Sequence, residues 1–195
     1  MRRGGTRLVS PRPFSQTMLT KLDLKEFGQC FEDFRHKAFR LETLDHYLVP
    51  EEEGIYARYL KGETPPPSVN EEWCQLVRRN TQSGKCMERV HVISIPPSQY
   101  LKFEIEWGYV HSTAAGEKVY LLNRRNVPES KAAPRDYWLF DDRTLVLMEY
   151  DQNGKFLGAR RESDPAVVAT YREAGYVLKS LGIPLAEYLE TNPIT

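Results

Sequence analysis

DYWLFDDRTLVLMEYDQNGKFLGARR, residues 136–161, is the stretch that commits the second half of this chain to a sheet. Apolar and polar residues alternate around two turn signals, Asp141-Asp142 and Asp151-Gln152-Asn153-Gly154. Asn-Gly between alternating runs is the strongest short-range hairpin signal a sequence carries. The stretch therefore reads as three short antiparallel strands. It also sets two adjacent carboxylates, Asp141 and Asp142, at a strand-end corner beside a Trp and a Phe.

Upstream, CMERVHVISI (86–95) and KVYLLN (118–123) read as two more strands. Val90 and Val92 lie on one side of the first, His91 and Ile93 on the other. Between them Ser98 can cap a helix reaching about His111, with Tyr100, Phe103, Trp107 and Val110 on one face. Strand, helix and strand in that order imply a right-handed parallel crossover. Asn70 caps an earlier helix with Trp73, Leu76 and Val77 inward and Gly84 at its end.

Near the N-terminus, Asp23-x-x-Glu26 is a variant of the capping box, and Phe27, Phe31, Phe34 and Ala38 follow at helical spacing. The expectation is an amphipathic helix over 23–38 with its aromatic stripe on a core. Phe39 and Leu41 mark a short extended element. Pro50 followed by Glu51, Glu52 and Glu53 then starts a helix faced by Ile55, Tyr56, Tyr59 and Leu60. Downstream, Asp164-Pro165 opens a last helix with Val168, Tyr171, Gly175 and Leu178 inward. Gly182 and Pro184 stop it, and a helical turn follows at 185–190.

The resulting fold class is α/β (α+β): a mixed sheet of about five strands flanked by helices, with an N-terminal helical subdomain. Residues 1–20 form a flexible tail, with Met18 as a second candidate start. A single domain covers 21–195, divided into a helical subdomain over 21–62, a stiff Pro-rich linker over 63–69, and an α/β body over 70–190.

Bulk properties narrow the function classes. The 195 residues include 27 Lys plus Arg and 27 Asp plus Glu, so no basic surplus marks a non-specific nucleic-acid binder. No apolar run approaches the roughly 18 residues a membrane span needs. Three widely spaced cysteines, Cys30, Cys74 and Cys86, with no C-x-x-C, suggest reduced thiols in a cytoplasmic protein. The histidines His36, His46, His91 and His111 fall in no metal-binding spacing, and no Walker, dinucleotide-binding or Gly-x-Ser-x-Gly pattern occurs. The sequence gives no reason to expect a metal or a cofactor.

What stands out is charge within apolar elements, since unpaired burial costs several kcal/mol, on the order set by ion desolvation. Arg40 and Glu42 alternate with Phe39 and Leu41, Arg89 opens a strand, Glu104 lies on a helix, and Asp141 ends WLFD. These read as a cleft lined by Arg40, Glu42, Arg89, Glu104 and Asp141, with Trp107, Tyr137 and Trp138 as aromatic walls. Asp142 is expected to serve the turn, and Asp141 to point toward Arg40 or Arg89.

AFRLETLDHY (38–47), RVHVIS and YLKFEIEW within 89–107, DYWLFDD (136–142), and GKFLGA with DPAVVATYR within 154–172 resemble an actinobacterial family of unknown function. The resemblance runs over about 22–190. It implies a gene neighbourhood with helix-turn-helix regulators, hence a regulatory or ligand-sensing role beside such a partner, and no catalytic residue or cofactor. The element order is also similar to a half phospholipase-D-like sensory fold, but its H-x-K-x-x-x-x-D pattern is missing: His91 is followed by Val92 and Ile93. The expected function is a non-enzymatic regulatory or ligand-sensing role, acting with a helix-turn-helix regulator. The alternative is a small hydrolase or nuclease-like toxin using Glu42, Glu104 or Asp141 with an Arg.

Overall fold

The computed structural model describes residues 19–129 and 135–192. A mixed sheet organises them, flanked by helices in an α+β arrangement. In chain order the strands are β1 (Thr20–Leu22), β2 (Lys37–Glu42), β3 (Cys86–Ile93), β4 (Lys118–Asn123), β5 (Tyr137–Phe140), β6 (Thr144–Tyr150), β7 (Phe156–Glu162) and β8 (Ile183–Pro184). The described residues thus form eight strands in the order β1-β7-β6-β5-β2-β3-β4-β8, where about five were expected. The three extra strands are the short β1 and β8 and the six-residue β2 holding Phe39 and Leu41, which the sequence marked as extended without placing it.

That last strand changes the organisation. β2 runs parallel to β3 and antiparallel to β5, at the centre of the sheet. Residues 21–62, expected as a helical subdomain, therefore supply two strands, one of them central. The expected tail lies almost wholly outside the described residues.

The antiparallel β5–β6–β7 meander forms as its turn signals dictate. Asp141 and Asp142 both have positive φ (50° and 58°), the pattern of a type I′ turn. Gly154 has φ 81° and its carbonyl accepts the Leu48 N–H at 2.9 Å. A Cβ there would sit 2.4 Å from the His46 carbonyl oxygen, so the turn needs glycine on steric as well as conformational grounds.

Helix α1 spans Leu24–Asp33, shorter than expected. Asp23 and Glu26 close a full capping box, with both reciprocal bonds present. The early end has a specific cause. The Asp141 carboxylate accepts the backbone N–H groups of Arg35, His36 and Lys37 at 2.8–2.9 Å, which draws the chain out of the helix and into β2. Phe34 is then extended and Ala38 belongs to a strand.

One face of the sheet is closed by α6 (Pro165–Leu181), with Phe39, Leu41, Val90, Tyr137, Leu139 and Leu178 in its core. The other face carries α1 and α3 (Glu71–Gln82), where Phe31 meets Trp138 and Phe140 edge-on at 4.9 and 5.1 Å. That same face continues under α2 (Glu53–Leu60) and a long helix made of α4 (Gln99–Phe103), a π-helical turn (Glu104–Tyr109) and α5 (Val110–Ala114). Helix α7 (Leu185–Thr191) packs beside β4. No described helix is long and apolar enough to cross a membrane.

Candidate functional site

Residues two apart on a strand share a face, so Arg40 and Glu42 of β2 lie together, as do Arg89 and His91 of β3. The parallel register sets Arg40 beside Arg89 and Glu42 beside His91. Two arginines side by side in a core are tolerable only with carboxylates between and around them. Glu42 supplies the bridge: Oε1 lies 3.3 Å from Arg40 Nε and Oε2 lies 2.7 Å from Arg89 Nη1. Asp136 takes the outer edge of Arg40 at 3.2 Å, and Glu117 takes that of Arg89 at 3.0 Å. The result is a buried chain of alternating charge, Asp136–Arg40–Glu42–Arg89–Glu117.

Its ends are fixed by donors. Asp136 accepts the Thr43 N–H at 3.0 Å, the Thr43 hydroxyl at 2.6 Å and the Tyr47 hydroxyl. Glu117 accepts the Trp73 indole N–H at 3.0 Å. Aromatic faces cover the cations: Arg40 lies 5.7 Å from Trp138, and Arg89 lies 5.6 Å from Trp73 and 5.3 Å from Tyr109. Burial opposes the charges of Arg40, Glu42 and Arg89, and their partners outweigh it. Glu42 is held well below the usual carboxylate range by Arg89 and Arg40, and Arg89 is raised by Glu117 and Glu42.

His91 is fully buried, and burial lowers its pKa against the pull of Glu42. As a neutral ring it donates from Nε2 to the Leu44 carbonyl at 2.7 Å. Its Nδ1 then lies 2.7 Å from the Tyr109 hydroxyl, whose single proton is shared between this nitrogen and Glu42 Oε2 at 3.0 Å. The π-helical turn, closed by the Val110 N–H bonding the Ile105 carbonyl, aligns Glu104 with Tyr109 on the side facing this histidine.

Next to the Arg89 end a cavity of about 860 Å³ opens between the sheet, the long helix, α2 and the start of α3. Tyr47, Tyr100, Phe103, Trp107, Tyr109 and Tyr150 present rings to it, while the exposed Glu51 and Glu72 stand at its edge. Inside, Glu52 accepts the Tyr100 hydroxyl at 2.9 Å. Glu104 has no such support: its Oε2 is buried, 3.8 Å from His91 Nδ1, with no hydrogen-bond partner among the described residues. Burial, then repulsion by Glu42 and Glu52, pushes the Glu104 carboxyl well above its ordinary range. A second cavity, of about 450 Å³, reaches the Asp136 end past Tyr150.

Five of the eight residues expected in a cleft thus converge: Arg40, Glu42, Arg89 and Glu104, with Trp107 lining the cavity. Arg40 sits one layer behind the wall. The other three do not join this group. Trp138 is core and stacks beneath Arg40. Tyr137 points to the opposite face, its hydroxyl on the Tyr171 carbonyl at 2.9 Å, because one residue along a strand reverses the side. Asp141 caps the start of β2 and reaches neither Arg40 nor Arg89, since three backbone N–H groups already hold it. Asp142 does more than serve the turn: it pairs with Lys37 at 2.8 Å and accepts the Tyr176 hydroxyl at 2.5 Å.

Sequence reasoning missed Glu117, Asp136, Tyr47 and Tyr109. Two had a usable signal: Asp136 directly precedes the YWLF strand, and Glu117 sits between Gly116 and the KVYLLN strand, positions that enter a sheet edge-on. Tyr47 had none, lying in an irregular segment. Among the described residues no group of three or more His, Cys, Asp or Glu is placed to hold a metal ion.

The fold and the site define a mixed α+β protein with a buried chain of ion pairs beside an aromatic cavity. A family model described as a domain of unknown function, DUF6879, matches residues 25–190, and the chain belongs to that family. No curated protein matches it. Among solved structures it is similar to Nuc, a phospholipase D family member from Salmonella typhimurium, at 6% identity and TM-score 0.46, over 80% of this chain and 86% of that one. It is also similar to TrmBL2, an archaeal chromatin protein, at 8% identity and TM-score 0.47, over 92% of this chain and 57% of that one. A phosphatidylserine synthase from Haemophilus influenzae aligns at 14% identity and TM-score 0.45, over 85% of this chain and 37% of that one.

Proposed function

We propose that this chain is a non-enzymatic ligand-sensing protein whose binding site is the cavity of about 860 Å³ over the Glu42–Arg89 pair. The carrying observation is the combination of a ring-lined cavity of ligand size with a floor of charges already satisfied by one another. Such a floor is preorganised for binding: Glu42 and Arg89 are committed to their partners and are poor candidates for moving protons. The resemblance drawn from sequence adds a helix-turn-helix regulator as the partner that reads the bound state, in the cytoplasm of an actinobacterium.

Gly108 provides the test. It lines the cavity, and a Cβ added there meets nothing within 4 Å, so a larger side chain has room to enter the space. A panel of drug-sized organic cations, neutral aromatics and anions is screened for a rise in the urea midpoint, the expected consequence of binding the folded state alone. At least one class should stabilise the native chain and fail to stabilise a folded Gly108→Phe variant. Stabilisation equal in both proteins, or in neither, removes the cavity as the site.

One observation favours hydrolysis as a second reading: Glu42 and Glu104 face the same histidine with pKa values pushed in opposite directions, the pattern of an acid and a base. Turnover of bis(4-nitrophenyl) phosphate, alone or with magnesium or manganese, lost in Glu104→Gln would establish it over sensing.

A further inference from the structure

The lining of the cavity is lopsided in charge. Six carboxylic side chains face it, Glu42, Glu51, Glu52, Glu71, Glu72 and Glu104, against one cation, Arg89. Arg89 is not available to an anion, because Glu42 and Glu117 occupy it at 2.7 and 3.0 Å and two rings flank it. Of the acids, Glu42 is spent on the arginines, and Glu71 pairs with Arg78 at 2.7 Å. Glu104 is different: its Oε2 is buried in the wall with no partner among the described residues. Tyr100, Phe103 and Trp107 line the same cavity, with ring centroids 5.9 Å apart for Tyr100 and Phe103 and 6.0 Å apart for Phe103 and Trp107. A carboxylate beside aromatic faces in a low-dielectric cavity is the arrangement that takes a cation carrying an apolar body.

We infer that the cavity binds an organic cation, a substituted ammonium with an aromatic or aliphatic body, with Glu104 as its counter-ion and Tyr100, Phe103 and Trp107 as the surrounding rings. This rests on the ligand-sensing reading of the cavity and names the class of ligand. An anion would meet Glu52 and Glu104 with no free positive group among the described lining residues, and an apolar neutral body would leave the Glu104 oxygen without a partner. Burial and the neighbouring Glu42 and Glu52 raise the Glu104 pKa in the empty site, against the pull of Arg89 and Arg40, with the buried His91 ring 3.8 Å away. The arriving cation opposes that shift: it forms an ion pair with the Glu104 carboxylate, and a proton held on the carboxyl leaves to solvent. The affinity for the cation therefore rises with pH.

Calorimetric titration with three probes of one shape separates the possibilities: (4-hydroxyphenyl)trimethylammonium, its neutral isostere 4-tert-butylphenol, and 4-hydroxybenzenesulfonate. The cation should bind about tenfold or more tighter than the phenol, the size of a desolvated cation–π contact with its counter-ion. Its apparent heat should change with the ionisation enthalpy of the buffer, reporting the released proton. Glu104→Gln should bring the cation down to the level of the phenol, abolish the buffer dependence and leave phenol binding intact. Equal or tighter binding of the phenol or the sulfonate overturns the cation inference and leaves the cavity as a ligand site. Binding of none of the three overturns both.

Discussion

Glu104→Gln should make the protein more stable, and increasingly so as the pH rises. The Glu104 side chain is only 14% exposed, its Oε2 is unpartnered, and burial with Glu42 and Glu52 raises its pKa well above the ordinary value. In the unfolded chain the same group titrates near pH 4.3, roughly the model-peptide value. Between that pH and the raised folded value, the folded state holds a proton that the unfolded state has lost. Stability therefore falls as pH rises through this window, by about 1.4 kcal/mol per pH unit for one proton. Glutamine keeps the shape and carries no such proton, so its stability lacks this slope. Other groups titrate in both proteins and cancel in the difference. The gap in favour of the variant should widen as pH rises, with a limiting slope of about 1.4 kcal/mol per pH unit. Urea denaturation of both proteins at pH 5, 6 and 7, followed by fluorescence, measures it. A gap that is independent of pH, or that narrows, refutes the raised Glu104 pKa.

Three further outcomes follow from the packing and the ion chain. Phe31→Ala should cost about 3–5 kcal/mol in urea denaturation, because Phe31 is buried edge-on against Trp73, Trp138 and Phe140; a loss under about 1 kcal/mol would make the stripe an exposed interface instead. Glu42→Ala leaves Arg40 and Arg89 side by side without their bridge and should cost about 3–5 kcal/mol, whereas a near-neutral result would mean that the chain of pairs is not held in solution. Asp141→Ala should cost about 1–2 kcal/mol, as for the loss of a helix cap, since three backbone N–H groups lose their acceptor; it should leave binding at the cavity unchanged, and weakened binding would return Asp141 to the site.

Much of this architecture was readable because the signals were local. The Asn153-Gly154 turn, the Asp141-Asp142 corner, the Asp23/Glu26 box and the Ser98 cap each act within a few residues, and each sits where the sequence put it. The N-terminal strand pairing was not readable, since Phe39 and Leu41 carry an extended pattern but nothing in them names β3 and β5 as neighbours. The end of α1 illustrates the same limit. Phe34 and Ala38 keep helical spacing, and a carboxylate more than a hundred residues away overrides it. For the site, alternation along β2 put Arg40 and Glu42 on one face, and the cost of unpaired burial required partners for them. Which partners was a matter of long-range packing: Glu117 and Asp136 enter from loops, and Tyr109 is turned inward by a π-helical turn that periodicity at 3.6 residues does not reveal.

The cavity as a ligand site is tested most directly by the three tryptophan indole N–H signals in a proton–nitrogen NMR spectrum. Trp73 and Trp107 line the cavity, and Trp138 lies in the core beneath Arg40. Titration with (4-hydroxyphenyl)trimethylammonium should shift Trp107 most and Trp73 with it, leave Trp138 nearly in place, and do none of this in Gly108→Phe. Saturation with all three probes of that shape that leaves Trp73 and Trp107 unmoved, or moves Trp138 alone, would contradict the account.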